Sequence, residues 1–218
     1  MRKEYTFRWL VFFVGLMIMG LGVALTVKGQ RLGVGSWDVL HIGLFKNLGL
    51  SIGLWSIIVG IVIVVTSSIG LREIPRLGTF MNMIFIGLFI DFFNWVLPDP
   101  HTFPMQFIDF ILGIVLMGIG GGLYLSANLG SGPRDSLMLL AVKKFGCSIT
   151  VARTVMEVVV AIAGFLLGGP IGIGTVIMAF ALGPIIQASL AYNKKIVDKW
   201  LSGMNVVSES FLGLTKEQ

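Results

Sequence analysis

The sequence predicts an all-α integral membrane protein. Its six transmembrane helices form two inverted-topology three-helix repeats, each with a short Gly-led helix that is re-entrant or non-spanning. Three observations lead there. Of 218 residues, 56% are hydrophobic and only 12% charged, too little polar surface to cover a water-soluble domain of this size. Six apolar runs, Trp9–Val27, Ile52–Val65, Phe80–Ile90, Phe110–Leu125, Val155–Leu167 and Ile171–Leu190, reach spanning length with their flanks. A bilayer core of about 30 Å takes roughly 20 apolar residues of helix. Their lack of period-2 alternation excludes a barrel, and in lipid only helices and barrels satisfy their own backbone. Thirdly, the chain repeats itself: LGVGSWDVL (32–40) and LGSGPRDSL (129–137) stand 97 residues apart.

The elements follow in order. The opening MRKEYTFRWLVFFVG is basic and then apolar, as a signal peptide would be. Its apolar stretch is too long for one and lacks a small-x-small cleavage site, so it reads as a retained first helix. A Gly-rich bend leads to a short helix over about Ser36–Asn47, followed by two long helices. The joint PDPHTFP (98–104) carries three prolines in seven residues, which excludes helix. The second half repeats the pattern, with its short helix over about Arg134–Lys144. At the same offset Gly49, Ser51 and Ile52 meet Gly146, Ser148 and Ile149. One residue of gap brings Gly20 and Gly22 onto Gly118 and Gly120, and Gly78, Thr79 and Gly87 onto Gly174, Thr175 and Gly183. The repeats are residues 8–97 and 106–192 of a single membrane domain, 1–192. Beyond it, 193–218 is expected to be a cytoplasmic tail, amphipathic on the spacing of Ile196, Trp200, Leu201 and Met204, or partly disordered.

Basic residues set the topology. If the short helices do not span and the N-terminus is inside, thirteen Lys and Arg lie inside and three (Lys28, Arg31 and Lys46) outside. If they do span, Arg72 and Arg76 move outside and the bias weakens. Three crossings per half is odd, so the halves enter the membrane from opposite sides, and both termini are cytoplasmic. Secondary transporters are often built this way, with a site near mid-membrane.

Several classes are excluded. The net charge of +5 comes from residues between the apolar runs, not from a basic stripe interleaved with aromatics, so no nucleic-acid partner is expected. A lone Cys147 makes no internal disulfide. There is no HExxH, GxSxG or CxxC, and no cluster of His with carboxylates at ligand spacing. We therefore expect no enzyme, no metal and no cofactor. The expected partners are the lipid bilayer and a small solute or ion, with a homo-oligomer left open.

The candidate site residues are the charges inside the membrane. Asp38 and Asp135 fall in the first turn of the short helices, where a carboxylate either caps the helix or binds a cation or proton. His41 lies one turn after Asp38 and can share its proton, or be an ordinary helix-face histidine. Glu157 is the deepest acid of its run, with Arg153 one turn earlier as its expected ion-pair partner. The first half has Ser56 and Gly60 there, so this pair breaks the symmetry. Gly33, Gly35, Gly130 and Gly132 allow positive φ and close backbone approach. No Lys-Ser/Thr follows them, which argues against a nucleotide loop. Asp91 and Asp109 flank the joint and read as solvated surface acids, and His101 has no partner pattern. Gly118–Gly122 suits close helix packing.

At the paired G-x-G-x-x-D-x-L segments the chain resembles the YczE/YitT family of bacterial multipass membrane proteins. That family's Gly-rich turn runs into Pro-Trp-Asp-Val-Leu. The first copy here keeps Trp37, Asp38, Val39 and Leu40 with Ser36 for the proline, and the second keeps Pro133 and Asp135 with Arg134 for the tryptophan. The resemblance extends to about Tyr192 and implies a multipass membrane location, with little said about function. The expectation is thus a small-solute transporter or permease with its site where the short helices face each other. Its rival is a non-transporting scaffold or accessory factor. A cavity lined by Asp38, Asp135 and Glu157 separates the first from the solid core expected of the second.

Overall fold

The computed structural model describes residues 2–130 and 132–211, with side chains for 4–130, 132–148 and 151–202. Among these residues it is all-helical: α1 (Arg2–Lys28), α2 (Ser36–Leu48), α3 (Ile52–Leu71), α4 (Leu77–Val96), α5 (Phe103–Ser126), α6 (Pro133–Phe145), α7 (Ile149–Leu166) and α8 (Ile173–Phe211), with one 3-10 turn at Gln30–Leu32. Five helices (α1, α3, α4, α5 and α8) are long and apolar enough to cross a membrane among the described residues. The short helices α2 and α6, of 13 residues each, sit where the sequence placed them.

Local chemistry sets the helix ends. Ser51 and Ser148 are the N-caps of α3 and α7, accepting from the N–H groups of Leu54 (3.1 Å) and Val151 (3.2 Å). Gly49 and Gly146 end α2 and α6 at positive φ. Asp91 is not the solvated acid expected. From α4 it accepts the Gly53 N–H at 2.8 Å and the Ser51 hydroxyl, satisfying free donors at the start of α3.

Packing rests on backbone proximity, because lipid offers no hydrophobic drive between helices. Helices α1 and α5 run antiparallel, with Gly15, Gly22 and Gly29 facing Tyr124, Met117 and Gln106 in turn. A Cβ on Gly22 would stand 2.5 Å from the Met117 nitrogen, and one on Gly120 would stand 2.4 Å from the Met19 nitrogen. Only glycine lets these backbones approach so closely. The short helices then pack crosswise, α2 on α7 and α6 on α3. Lys46 of α2 donates to the Gly168 carbonyl at 2.8 Å, and Lys143 of α6 to the Leu71 carbonyl at 3.3 Å. The two lysines are 97 residues apart, as are the two carbonyls they reach.

Two features depart from this regularity. Helix α8 continues without a break past Tyr192 to Phe211. Val197 and Leu201 are buried against the start of α1 beside Phe12 and Leu16, and Trp200 stacks on Phe7 at 6.0 Å. The side chain of Met204 and residues 212–218 lie outside the described residues. The second departure is an unequal pairing: α3 packs along α4, whereas α7 scarcely touches α8.

Candidate functional site

The two Gly-rich bends bring the starts of α2 and α6 together inside the helical bundle. At Gly33, φ is +97°, and a Cβ would meet the Gly172 nitrogen at 2.5 Å; at Gly130, φ is +155°, with the Thr79 nitrogen at 2.8 Å. Both glycines therefore serve the bends, packed on the starts of α8 and α4. Gly35 and Gly132 differ from the expectation. They are the N-cap residues, at φ −60° and −67°, where any residue is comfortable. At Gly35 glycine supplies room, since a Cβ would stand 3.0 Å from Asp38 Oδ2, whereas a Cβ on Gly132 would meet only ordinary contacts, Asn82 Oδ1 at 3.4 Å and Tyr124 Oη at 3.5 Å. Ser131 lies outside the described residues.

Between the helix starts is a cavity of about 210 Å³. Asp38, His41, Asp135, Arg153, Glu157, Gly35 and Gly132 all line it, while Gly33 and Gly130 stand behind its wall. Asp38 and His41 are each only 2% exposed. Nδ1 of His41 stands 3.8 Å from Asp38 Oδ1, beyond hydrogen-bond distance, and neither ring nitrogen has a partner among the described residues. Such orphaned groups are costly inside a protein unless something else meets them. Neither aspartate is an N-cap side chain, since glycine holds both cap positions. Asp135 instead turns toward the Gly132 amide and faces Arg153 and Arg134.

The expected Arg153–Glu157 ion pair does not form: no ion pair joins them within 4 Å. Their helical spacing permits the pair, but a cross-helix partner takes Glu157, which accepts the Trp37 indole N–H at 3.3 Å. The guanidinium of Arg134 lies over the Trp37 ring, 5.0 Å from its centroid. These two residues occupy the same position in the two motif copies, so the motifs meet through one of their dissimilar pairs.

Other residues carried no signal in the sequence. Tyr124 is buried, its hydroxyl toward Gly132 and Asn82. Six methionines, Met19, Met83, Met117, Met138, Met156 and Met178, line the same cavity. Methionine is a common core residue, so only the fold reveals their convergence. Counted at formal charges, with His41 taken as uncharged, three acids and two arginines give the cavity lining one excess negative charge.

Comparison with known proteins places this geometry in a lineage. The family of unknown function DUF6198 matches residues 6–190. The uncharacterized membrane protein YczE of Bacillus subtilis (strain 168) is 44% identical over 198 residues, covering 91% of this chain and 92% of the relative. An uncharacterized protein of Haemophilus influenzae is 37% identical over 178 residues, 81% of this chain and 80% of its own. The uncharacterized protein YyaS of Bacillus subtilis is 28% identical over 183 residues, 83% of this chain and 90% of its own. These relatives bear out the YczE side of the resemblance and do not show the YitT side. No solved structure matches the chain at a significant level.

Proposed function

The chain belongs to the family of unknown function DUF6198, and since that description carries no activity to transfer, we propose from the cavity itself that it is a small-solute transporter or permease. The observation that carries this reading is a cavity within the helical bundle holding Asp38, Asp135 and Glu157 together, beside a buried histidine with no hydrogen bond among the described residues. Charge kept inside a membrane protein marks an ion or substrate path by default. A scaffold has no need of such a space, so the accessory-factor reading is the weaker one. We take the role to be non-enzymatic: the residues bind and release.

The two-repeat architecture belongs to this proposal. The reciprocal lysine caps, the matched serine caps and the antiparallel α1–α5 contact support it. Helix α7 is then the sixth span, its charges turned to the cavity. Both termini are cytoplasmic on the thirteen-to-three distribution of basic residues, and the cell membrane is the location.

The test is a thermal-shift screen of purified protein against amino acids, sugars, organic cations and inorganic ions, followed by uptake of any hit into proteoliposomes. We expect a hit whose uptake Asp38→Asn abolishes while leaving the unfolding temperature near wild type. Uptake that is equal in empty vesicles, or indifferent to Asp38→Asn and Glu157→Gln together, overturns the reading.

A further inference from the structure

The cavity has unequal sides. On one, α3 and α4 close over it: a Cβ on Gly60 would stand 2.6 Å from Met83 Cγ, and one on Gly87 would stand 2.5 Å from the Gly53 carbonyl. Aligned with these in the second half are Glu157 for Gly60, Ala179 for Met83 and Gly183 for Gly87. There the closure is missing. A Cβ on Gly183 would meet nothing within 4 Å, and α7 and α8 diverge. Met83 is 4% exposed, whereas Ala179 is exposed even though it lines the cavity. Arg153 likewise lines the cavity and is exposed. Both flanking helices show apolar side chains outward, among them Val155 and Val159 on α7 and Val176 and Phe180 on α8. The seam between them therefore borders both the cavity and the apolar outer surface of the bundle.

We infer that the α7–α8 seam is a slot that serves as a lateral entrance, and that the cavity takes an amphiphile carrying one positive charge that arrives from the lipid phase. This rests on the transport reading and names its substrate class. The sign follows from the partners: among the described residues Arg134 and Arg153 act electrostatically on Asp135, whereas Glu157 accepts the Trp37 N–H and Asp38 stands 3.8 Å from His41, neither forming an ion pair with a Lys or Arg. A single cation cancels the excess charge, and it can meet Glu157 on entering. The apolar part suits the methionine lining, whose flexible thioethers adapt to varied shapes. A route through lipid explains why the polar groups sit behind a slot with apolar flanks instead of a charged vestibule.

The experiment uses the full chain in lipid nanodiscs with three probes: hexyltrimethylammonium, tetramethylammonium and hexanesulfonate. We expect the first to bind at least tenfold more tightly than either of the others. Glu157→Gln should weaken it about tenfold with little change in the unfolding temperature of the free protein. Ala179→Phe, which fills the slot from the lipid side, should slow its association at least tenfold. Equal binding of both cations, or binding indifferent to both substitutions, overturns the lateral route. So does a loss of oligomer mass in Ala179→Phe with cation binding intact, which assigns the slot to a second copy. If a different solute shows Asp38-dependent uptake while hexyltrimethylammonium does not bind, only this inference falls; if neither occurs, the transport reading falls with it.

Discussion

Trp37 on α2 donates its indole N–H to the Glu157 carboxylate of α7 across 3.3 Å, 120 positions further along the chain. A hydrogen bond to a charged group contributes about 1.5–3 kcal/mol at best, and less at this length. In a cycle of Trp37→Phe and Glu157→Leu, which removes the acceptor, the coupling read from unfolding in mixed detergent should be about 1 kcal/mol. Strict additivity would show that the bond contributes nothing.

Asp38→Asn and Asp135→Asn separate a structural from a functional role. Glycine already holds each cap position, so neither change should cost more than about 1 kcal/mol. Ligand binding should fall further in Asp38→Asn, because only Asp38 has a buried histidine beside it. Full binding by both folded variants would remove the pair from the site.

Gly22→Ala tests the close approach of α1 and α5. The added methyl group would stand 2.5 Å from backbone, so the helices must part, at about 1–3 kcal/mol. Gly146→Ala has nothing within 4 Å but keeps φ at +65°, which costs about 1–2 kcal/mol. Unfolding temperatures should rank Gly22→Ala as the less stable variant, and the reverse order would refute the packing argument.

Asp99 gives the pH prediction. It is exposed, and the hydrogen bond from Lys28, followed by the Lys28 charge, holds its carboxyl below the usual 3.8. A depressed carboxylate adds stability that is fully present above its ordinary value and lost as pH falls through the lower folded one. Asp99→Asn should therefore shift unfolding temperature by the same small amount at every pH above about 5. The two proteins should converge only in the acid limb. A difference between them that changes between pH 6 and 8 would point to another group.

Topology has a direct readout. Cysteine at Thr102 should label from outside in intact cells, and cysteine at Ser202 only after permeabilisation. Both must be introduced with Cys147 replaced. Labelling of both from one side would refute three crossings per half.

Much of the bundle was legible because lipid imposes length and composition on every span. The short helices were legible too, since each sits between a Gly-rich bend and a Gly-Cys/Leu-Ser turn that stops it. Convergence of Asp38, Asp135, Arg153 and Glu157 on one cavity also matches the charges singled out from the chain. Their pairing was not legible. Helical spacing offers Arg153 to Glu157, but only tertiary structure reveals that an indole from α2 takes the acid. Asp91 escaped for the same reason, its donors lying on a different helix. The helical spacing of Ile196, Trp200 and Leu201 past Asn193 was legible, but not the packing that turns Val197 and Leu201 onto α1.

The stacking of Arg134 on Trp37 has a consequence for ancestry. On the two-repeat reading, an ancestor consisting of one half would have worked as a dimer, and the residue at this position would have met its own copy across the axis. Two arginines there repel, and two tryptophans leave nothing to hold a carboxylate by charge. Once both copies shared a single gene, each could drift alone, and a cation could settle on an indole. On that reading a single chain permits a heterotypic contact here that a symmetric dimer of halves cannot encode. Restoring identity, by Arg134→Trp or Trp37→Arg, returns the molecule to that ancestral constraint.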